Sequence, residues 1–187
     1  YNIGNTAEMA IDSQGTLYIV SQRLNSKNIY LHSGTPGNWY ENRNLTGGGA
    51  HWPAVAVDSN DAVHITYHVG SNKDMMYLTN ASGSYSTPAS IEGYGGWGSV
   101  MHIDDNDDVF IPNLAPGLAE IQLTTVKGSG QGLTVLPIYD ISPMLPDGLT
   151  MNWRNGTISG TPTEALANTT FTVTVTALGT TTTGTFT

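Results

Sequence analysis

The chain has 187 residues, of which 11% are charged, and fifteen carboxylates against six lysines and arginines give a formal net charge of −9. This charge repels phosphate backbones and anionic lipid, so we expect no nucleic-acid partner. Cysteine is absent, which excludes disulfide bonds, and no apolar run could span a bilayer, so we expect no membrane insertion of this segment. Abundant glycine, serine, threonine and asparagine predict an all-β protein with many short strands.

One sequence pattern recurs three times in the first two thirds of the chain. Its copies occupy residues 9–20, 54–66 and 101–111, and each has an aspartate at the same place, at positions 12, 58 and 104. Both intervals, from 12 to 58 and from 58 to 104, are therefore 46 residues. A fixed period of this length is typical of repeat proteins, in which one unit cannot bury its apolar face alone.

Each copy is predicted to form a β-hairpin, because two short apolar or alternating runs flank a polar turn. The turn aspartate is expected to accept hydrogen bonds from backbone N–H groups two residues on, and Gly15 supplies the positive φ that such turns often need. Asp61 and Asp107 replace this glycine in the later copies. Since aspartate tolerates left-handed geometry better than most residues, we expect the turn to be kept.

The first two repeats continue through a third strand, at residues 27–32 and 74–79, and a fourth that starts near Trp39 and Tyr85. Four short antiparallel strands at this period are what a β-propeller blade requires. Residues 7–111 resemble the neuraminidase-repeat-like propellers of secreted and surface proteins, whose units read apolar-Val-Asp-Ser-x-Gly-x-apolar, Tyr-Leu-Thr-Asn and Gly-x-Trp/Tyr. The resemblance implies a partial propeller over residues 1–116, with blades near 7–50 and 51–96 and an incomplete one at 97–116.

A closed propeller has at least four blades. We therefore expect the open edges to be covered by the remainder of a larger polypeptide or by copies of the same chain. Strand edges of this kind pair readily, so a filament or stalk is one form such an assembly could take.

The second predicted domain spans residues 117–187. Leu-Pro-Asp-Gly-Leu at 145–149, Gly-Thr-Ile-Ser-Gly-Thr-Pro at 156–162 and the alternating run at 170–177 closely resemble the PIG module, an immunoglobulin-like unit of bacterial and archaeal surface proteins. The resemblance implies a β-sandwich that serves as a spacer or adhesive unit, without catalytic residues. Residues 120–126 either complete the third repeat or open this domain, and we favour the second assignment.

Two glycine-rich loops between the repeats are candidate ligand sites. Residues 47–52 end in His51 and Trp52, and the equivalent loop at 93–97 contains Tyr94 and Trp97. Glycine backbone beside an aromatic face suits the stacking of an extracellular glycan. The alternative, which we favour, is that both tryptophans pack between adjacent blades.

A calcium site is a second candidate, because Asp104, Asn106 and Asp108 alternate as the oxygen ligands of a calcium loop do, although the EF-hand pattern is broken after them. A solvated hairpin turn is the favoured alternative, and no other cofactor is expected. His64 and His68 lie about 13 Å apart along one strand, too far to share a metal ion, and no acidic partner is expected nearby.

Enzymatic chemistry finds little support in the sequence. Sialidases, which use related propellers, gather an arginine cluster that Arg23, Arg43 and Arg154 do not match, whereas a two-carboxylate glycosidase stays open because its residues need only meet in space. We expect a non-catalytic extracellular or cell-surface segment, with glycan binding, or less readily glycan hydrolysis, as the alternative. The candidate glycosylation sites are Asn44, Asn80, Asn155 and Asn168.

Overall fold

The computed structural model describes residues 3–70, 74–92, 100–114, 121–126, 137–152, 155–165, 167–177 and 180–187. These residues form only β-strands and their connections, in small antiparallel sheets, which confirms the all-β prediction. The chain divides into two compact units, Tyr1–Thr134 and Val135–Thr187.

The first unit contains three successive sheets, which we call repeats 1, 2 and 3. Repeat 1 comprises β1 (Ile3–Ile11), β2 (Leu17–Arg23), β3 (Ile29–Thr35) and β4 (Asn38–Asn44); repeat 2 comprises β5 (Ala50–Val57), β6 (Val63–Val69), β7 (Asp74–Thr79) and β8 (Ala89–Glu92); repeat 3 comprises β9 (His102–Ile103), β10 (Val109–Leu114) and β11 (Ile121–Val126). Repeats 1 and 2 are simple up-and-down sheets in chain order, as predicted. The propeller stays a prediction, since the described residues form separate sheets and no closed ring.

Two strand assignments differ from the sequence-based expectation. The fourth strand of repeat 2 begins at Ala89 rather than Tyr85, after Pro88, which has no N–H to donate to a ladder. β11 pairs with β10 over six residues, so the stretch that we had favoured as the start of the next domain belongs to repeat 3. Its register places Val126 opposite Val109, and both side chains are fully buried.

The three hairpin turns share one hydrogen-bond pattern, which confirms the predicted role of the turn aspartate. In each turn its Oδ1 accepts the backbone N–H groups two and four residues on, at 2.7–3.0 Å. The left-handed position is held by Gly15 with φ 83°, and by Asp61 and Asp107 with φ 62°. Aspartate therefore does replace glycine there, because its short side chain tolerates this backbone geometry.

A second set of hydrogen bonds, which we call the turn latch, joins successive turns. Ser13 donates its backbone N–H and its Oγ–H to the carboxylate of Asp61, at 2.8 and 2.6 Å. Ser59 donates in the same way to Asp107, at 2.9 and 2.8 Å. Repeats 1 and 2 thus each use the residue after the turn aspartate to bind the left-handed aspartate of the next repeat.

The main core lies between repeats 1 and 2, at what we call the first joint. Side chains alternate along a strand, so Val20, Ile29 and Leu31 lie on one side of repeat 1, its back face. The front face of repeat 2 meets them with Val55, Val63, Ile65, Tyr67 and Leu78. All eight side chains are 6% exposed or less, so this joint is an apolar core shared by two sheets.

The second joint, between repeats 2 and 3, is more polar. His64, Thr66 and His68 alternate with the front-face residues along β6 and form the back face of repeat 2, together with Tyr77 on β7. All four side chains are 3% exposed or less. Repeat 3 lies on this side, since β5 contacts β9 and the turns of the two repeats are latched. Among the described residues of repeat 3, Val109, Ile111, Thr125 and Val126 are fully buried.

The second unit has two small antiparallel sheets. One has the order β12 (Ile138–Ser142), β15 (Phe171–Ala177), β16 (Thr180–Phe186), and the other pairs β13 (Leu149–Met151) with β14 (Ile158–Gly160). Phe171 and Phe186 lie opposite each other, with ring centroids 5.3 Å apart. Gly148 and Gly160 take positive φ where the two short strands meet, and a Cβ on either glycine would collide with backbone atoms, so the two motif glycines fix this close approach.

Candidate functional site

The loop before β5 gives the backbone an unusual path at Trp52. Gly48 and Gly49 both have positive φ, and Trp52 follows with φ 48°. A bulky side chain at positive φ is uncommon, and such strain is often held at functional sites. The pairing of β5 with β6 also shifts register between His51 and Ala54, so a β-bulge re-aims the Trp52 side chain relative to a regular strand.

Beside Trp52 lies a cavity of about 300 Å³, in the lower range for small-ligand sites. Its lining residues are Thr6, Gln22, Leu24, Lys27, His51 and Trp52. Gln22 is 9% exposed, and its Nε2 lies 2.8 Å from the Ala50 carbonyl oxygen and 3.1 Å from His51 Nδ1. A buried amide therefore fixes the position of the His51 ring at the wall of the cavity.

The cavity combines an apolar ring with several polar groups. Trp52 packs against His51, with ring centroids 5.1 Å apart, and its edge meets His68 at 5.9 Å. Thr6 Oγ1 is buried and has no hydrogen-bond partner among the described residues. Lys27 adds an ammonium group at the lining. An indole face with nearby amide, hydroxyl and ammonium donors can hold a sugar ring by stacking and hydrogen bonding.

Trp52 packs on His51 and His68, which both belong to repeat 2, and it also lines a cavity. Packing of the tryptophans between adjacent blades stays a prediction. Tyr94 and Trp97, the candidates of the second loop, lie outside the described residues. The glycan site stays a prediction.

A buried polar chain was not foreseen from the sequence. His64 Nε2 lies 3.2 Å from Asp58 Oδ2, and His64 Nδ1 is hydrogen-bonded to the hydroxyl of Tyr77. The expectation that His64 has no acidic partner nearby is therefore wrong. The usable signal was the 46-residue offset, which puts Tyr18 in the place of His64, and Tyr18 also donates to its turn aspartate, Asp12, at 3.1 Å.

The hydrogen-bonded side chains of Asp58, His64 and Tyr77 have a structural role. Burial lowers the pKa of His64, while the Asp58 carboxylate opposes that shift. Burial also raises the pKa of Tyr77, so its hydroxyl stays protonated. Since His64, Asp58 and Tyr77 are all 5% exposed or less, a substrate has no access to these groups as they stand. The three side chains satisfy one another's hydrogen-bonding groups inside the second joint.

The candidate calcium residues share the third hairpin turn. Asp104 Oδ1 accepts the N–H groups of Asn106 and Asp108, and its Oδ2 accepts Asn106 Nδ2 at 3.2 Å. Within the described ranges, no group of three or more histidine, aspartate or glutamate side chains is arranged to hold a metal ion. The calcium site remains a prediction. Its first candidate ligand, Asp104, already accepts backbone hydrogen bonds within the turn.

The candidate glycosylation sites differ in exposure. Asn44, Asn155 and Asn168 are exposed, whereas Asn80 is half-buried and its Oδ1 accepts the Val63 N–H at 2.7 Å. Three of the four side chains are therefore accessible to a modifying enzyme.

Comparison with known proteins supports the C-terminal assignment. Residues 115–187 match the family model described as "Putative Ig domain". No curated protein matches the chain. No helix in the described part of the chain is long and apolar enough to cross a membrane. The match begins at residue 115 and so includes β11, which the structure pairs within repeat 3, while the compact units divide between Thr134 and Val135. The predicted boundary at 116/117 stays a prediction.

Proposed function

We propose that this segment is a non-catalytic structural or adhesive part of an extracellular or cell-surface protein. In this proposal the three repeats are blades of a β-propeller, and the C-terminal unit is an immunoglobulin-like spacer. The match of residues 115–187 to an Ig-like family carries the proposal, because Ig-like modules of this type commonly occur in surface proteins.

The construction of the repeats supports a scaffold role. Two successive joints use the same hairpin turn and the same turn latch, so each sheet is placed relative to the next by repeated contacts. Propeller blades are stacked in this way, face against face. Three polar side chains buried at the second joint, Asp58, His64 and Tyr77, form one hydrogen-bonded chain.

Protease treatment of intact cells that make the parent protein tests the surface assignment. Peptides from the exposed stretch 180–187 or around Met144 should be released without lysis, since these residues are accessible in the folded unit. A cytoplasmic protein serves as the control for leakage. Release only after lysis would contradict the assignment, and turnover of a panel of chromogenic glycosides would contradict the absence of catalysis.

Carbohydrate binding is a second candidate function, and the cavity beside Trp52 favours it. A glycan array followed by calorimetry compares the wild type with Trp52→Ala and with Thr6→Val, which removes only the buried hydroxyl. Trp52→Ala should weaken binding by about 1–3 kcal/mol, as loss of a stacked aromatic does. Tyr40→Ala, at an exposed aromatic residue outside the cavity, is the matched control. Binding that is indifferent to both cavity variants would remove this candidate.

A further inference from the structure

The front face of repeat 1 is uncovered, although the same face of repeat 2 is buried. Met9 and Ile11 are 60% and 59% exposed. Their equivalents 46 residues later are Val55, which is 6% exposed, and Val57, which packs on the core of the first joint. Exposure of large apolar side chains at these positions marks a surface that another element covers.

A further pair of equivalent residues extends the comparison across the sheet. Trp39 on β4 is 48% exposed, whereas Tyr85, its equivalent in repeat 2, is half-buried against the first joint and lies under the guanidinium of Arg43. In repeat 2 this whole face receives the back face of repeat 1. The front face of repeat 1 is therefore shaped to receive the back face of another repeat.

Repeat 3 has a back face that no further repeat within the described residues covers. Phe110, Pro112, Leu123 and Thr125 lie on that side of β10 and β11; Leu123 is 37% exposed, whereas Thr125, opposite Phe110, is fully buried. Pro112 is half-buried, whereas its equivalents Val20 and Thr66 are fully buried at the two existing joints. The repeat pattern also ends here, since the residue 46 positions after Asp104 is Thr150, in the second unit.

We propose that a second copy of this chain covers the front face of repeat 1, with the back face of its own repeat 3. Two copies joined in both directions bring six sheets together, within the range of four to eight blades of closed propellers. This inference rests on the propeller arrangement proposed above and names the partner that closes it.

The joint between copies would lack the turn latch. Repeat 3 has Asp105 where Ser13 and Ser59 donate, and repeat 1 has Gly15 where Asp61 and Asp107 accept. The intermolecular joint would thus lack these hydrogen bonds, which makes the association weaker than the two joints within the chain and dependent on protein concentration.

Sedimentation velocity of the 187-residue chain over a range of concentrations tests the proposal. We expect a species of twice the 19.9 kDa chain mass to form as the concentration rises. The double variant G15D/D105S supplies both halves of the latch at each of the two joints and should lower the dissociation constant by about a hundredfold, about tenfold for each joint. The exchange at position 15 fits the backbone, because Asp61 and Asp107 hold the same left-handed geometry and a Cβ at Gly15 meets nothing within 4 Å.

Two further variants show whether the predicted faces meet. G15D alone would place a carboxylate against Asp105 and should weaken association, while M9E should abolish it and leave the melting temperature unchanged. M144E, at an exposed methionine of the second unit, is the matched control. Monomers at every concentration for both the wild type and G15D/D105S, or association that M9E leaves intact, would overturn the proposal. The surface assignment would then still stand, with a repeat of the parent polypeptide as the covering element.

Discussion

The two joints between repeats share one backbone design and differ in chemistry. At the first, Val20 and Leu31 of repeat 1 pack on Ile65 of repeat 2, all fully or almost fully buried. At the second, the equivalents of Val20 and Leu31 are Thr66 and Tyr77, which are equally buried. The hairpin turn and the turn latch are the same at both joints. The stacking of the sheets is therefore set by the turns and the backbone, and different side chains can fill the space between.

The position after the turn shows how far the chemistry varies. Tyr18, His64 and Phe110 occupy it in the three repeats. The tyrosine and the histidine both bind the turn aspartate, at 3.1 and 3.2 Å, whereas phenylalanine cannot. The second joint thus contains a buried imidazole that the first lacks, and between pH 5 and 7.5 this group should make the stability of the second joint respond to acid.

The largest expected effect comes from the apolar joint. Leu31→Ala should lower the free energy of unfolding of the first unit by about 2–5 kcal/mol, because it leaves a cavity among fully buried side chains. Urea unfolding followed by tryptophan fluorescence measures the change. Tyr40→Ala, at a 63% exposed position of the same repeat, is the control and should change it by less than about 0.5 kcal/mol. Equal losses for the two variants would contradict the assignment of the core to this joint.

At the polar joint, His64→Phe should lower the free energy of unfolding by about 1–3 kcal/mol, because Asp58 Oδ2 and the Tyr77 hydroxyl both lose the buried ring as a partner. The double variant H64Y/Y77L reproduces the pair found in repeat 1, Tyr18 and Leu31. It should be more stable than His64→Phe, since the tyrosine can again donate to Asp58. If His64→Phe unfolds like the wild type, the buried chain contributes nothing to the second joint.

Acid should weaken the wild type more than that double variant. Burial lowers the pKa of His64, so the unfolded chain takes up a proton at this residue near pH 6.5 and the folded chain does so only at lower pH. The stabilisation is complete above pH 6.5 and is lost as the pH falls toward the folded pKa, by at most about 1.4 kcal/mol per pH unit.

Urea titrations between pH 5 and 7.5 measure this difference. Burial also lowers the pKa of His32 and raises that of Glu8, but both residues are present in the two proteins, so their contributions cancel in the comparison. Parallel pH profiles for the wild type and H64Y/Y77L would show that His64 does not titrate as its burial requires.

Local rules in the sequence predicted much of this fold. The 46-residue period located the three hairpins, and the turn aspartates could be assigned because an Asx turn depends on residues only four apart. The pairing of β11 with β10 was not predicted, because its register depends on the burial of Val126 against Val109, a contact between strands that composition does not reveal. At Trp52 the sequence predicted a loop with an aromatic residue but not the cavity beside it, because Thr6 and Gln22 line that cavity from strands distant in sequence.

The smallest expected effect concerns the turn latch, which both joints share. Asp61→Gly and Asp107→Gly each restore the residue that repeat 1 has at this position, and so keep the left-handed geometry while removing the acceptor. Each should lower the free energy of unfolding by about 0.5–1.5 kcal/mol.

Asp107→Gly should cost more than Asp61→Gly, because Asp107 also accepts Asn60 Nδ2 at 2.9 Å. The matched donor variants are Ser13→Ala and Ser59→Ala, which remove one hydroxyl bond and keep the backbone N–H. Combining Ser59→Ala with Asp107→Gly should cost less than the sum of the single changes, since both remove the same interaction. Urea unfolding of the four proteins of this cycle measures the coupling, and strict additivity would mean that Ser59 and Asp107 do not interact in solution and that the sheets are placed by their packed faces alone.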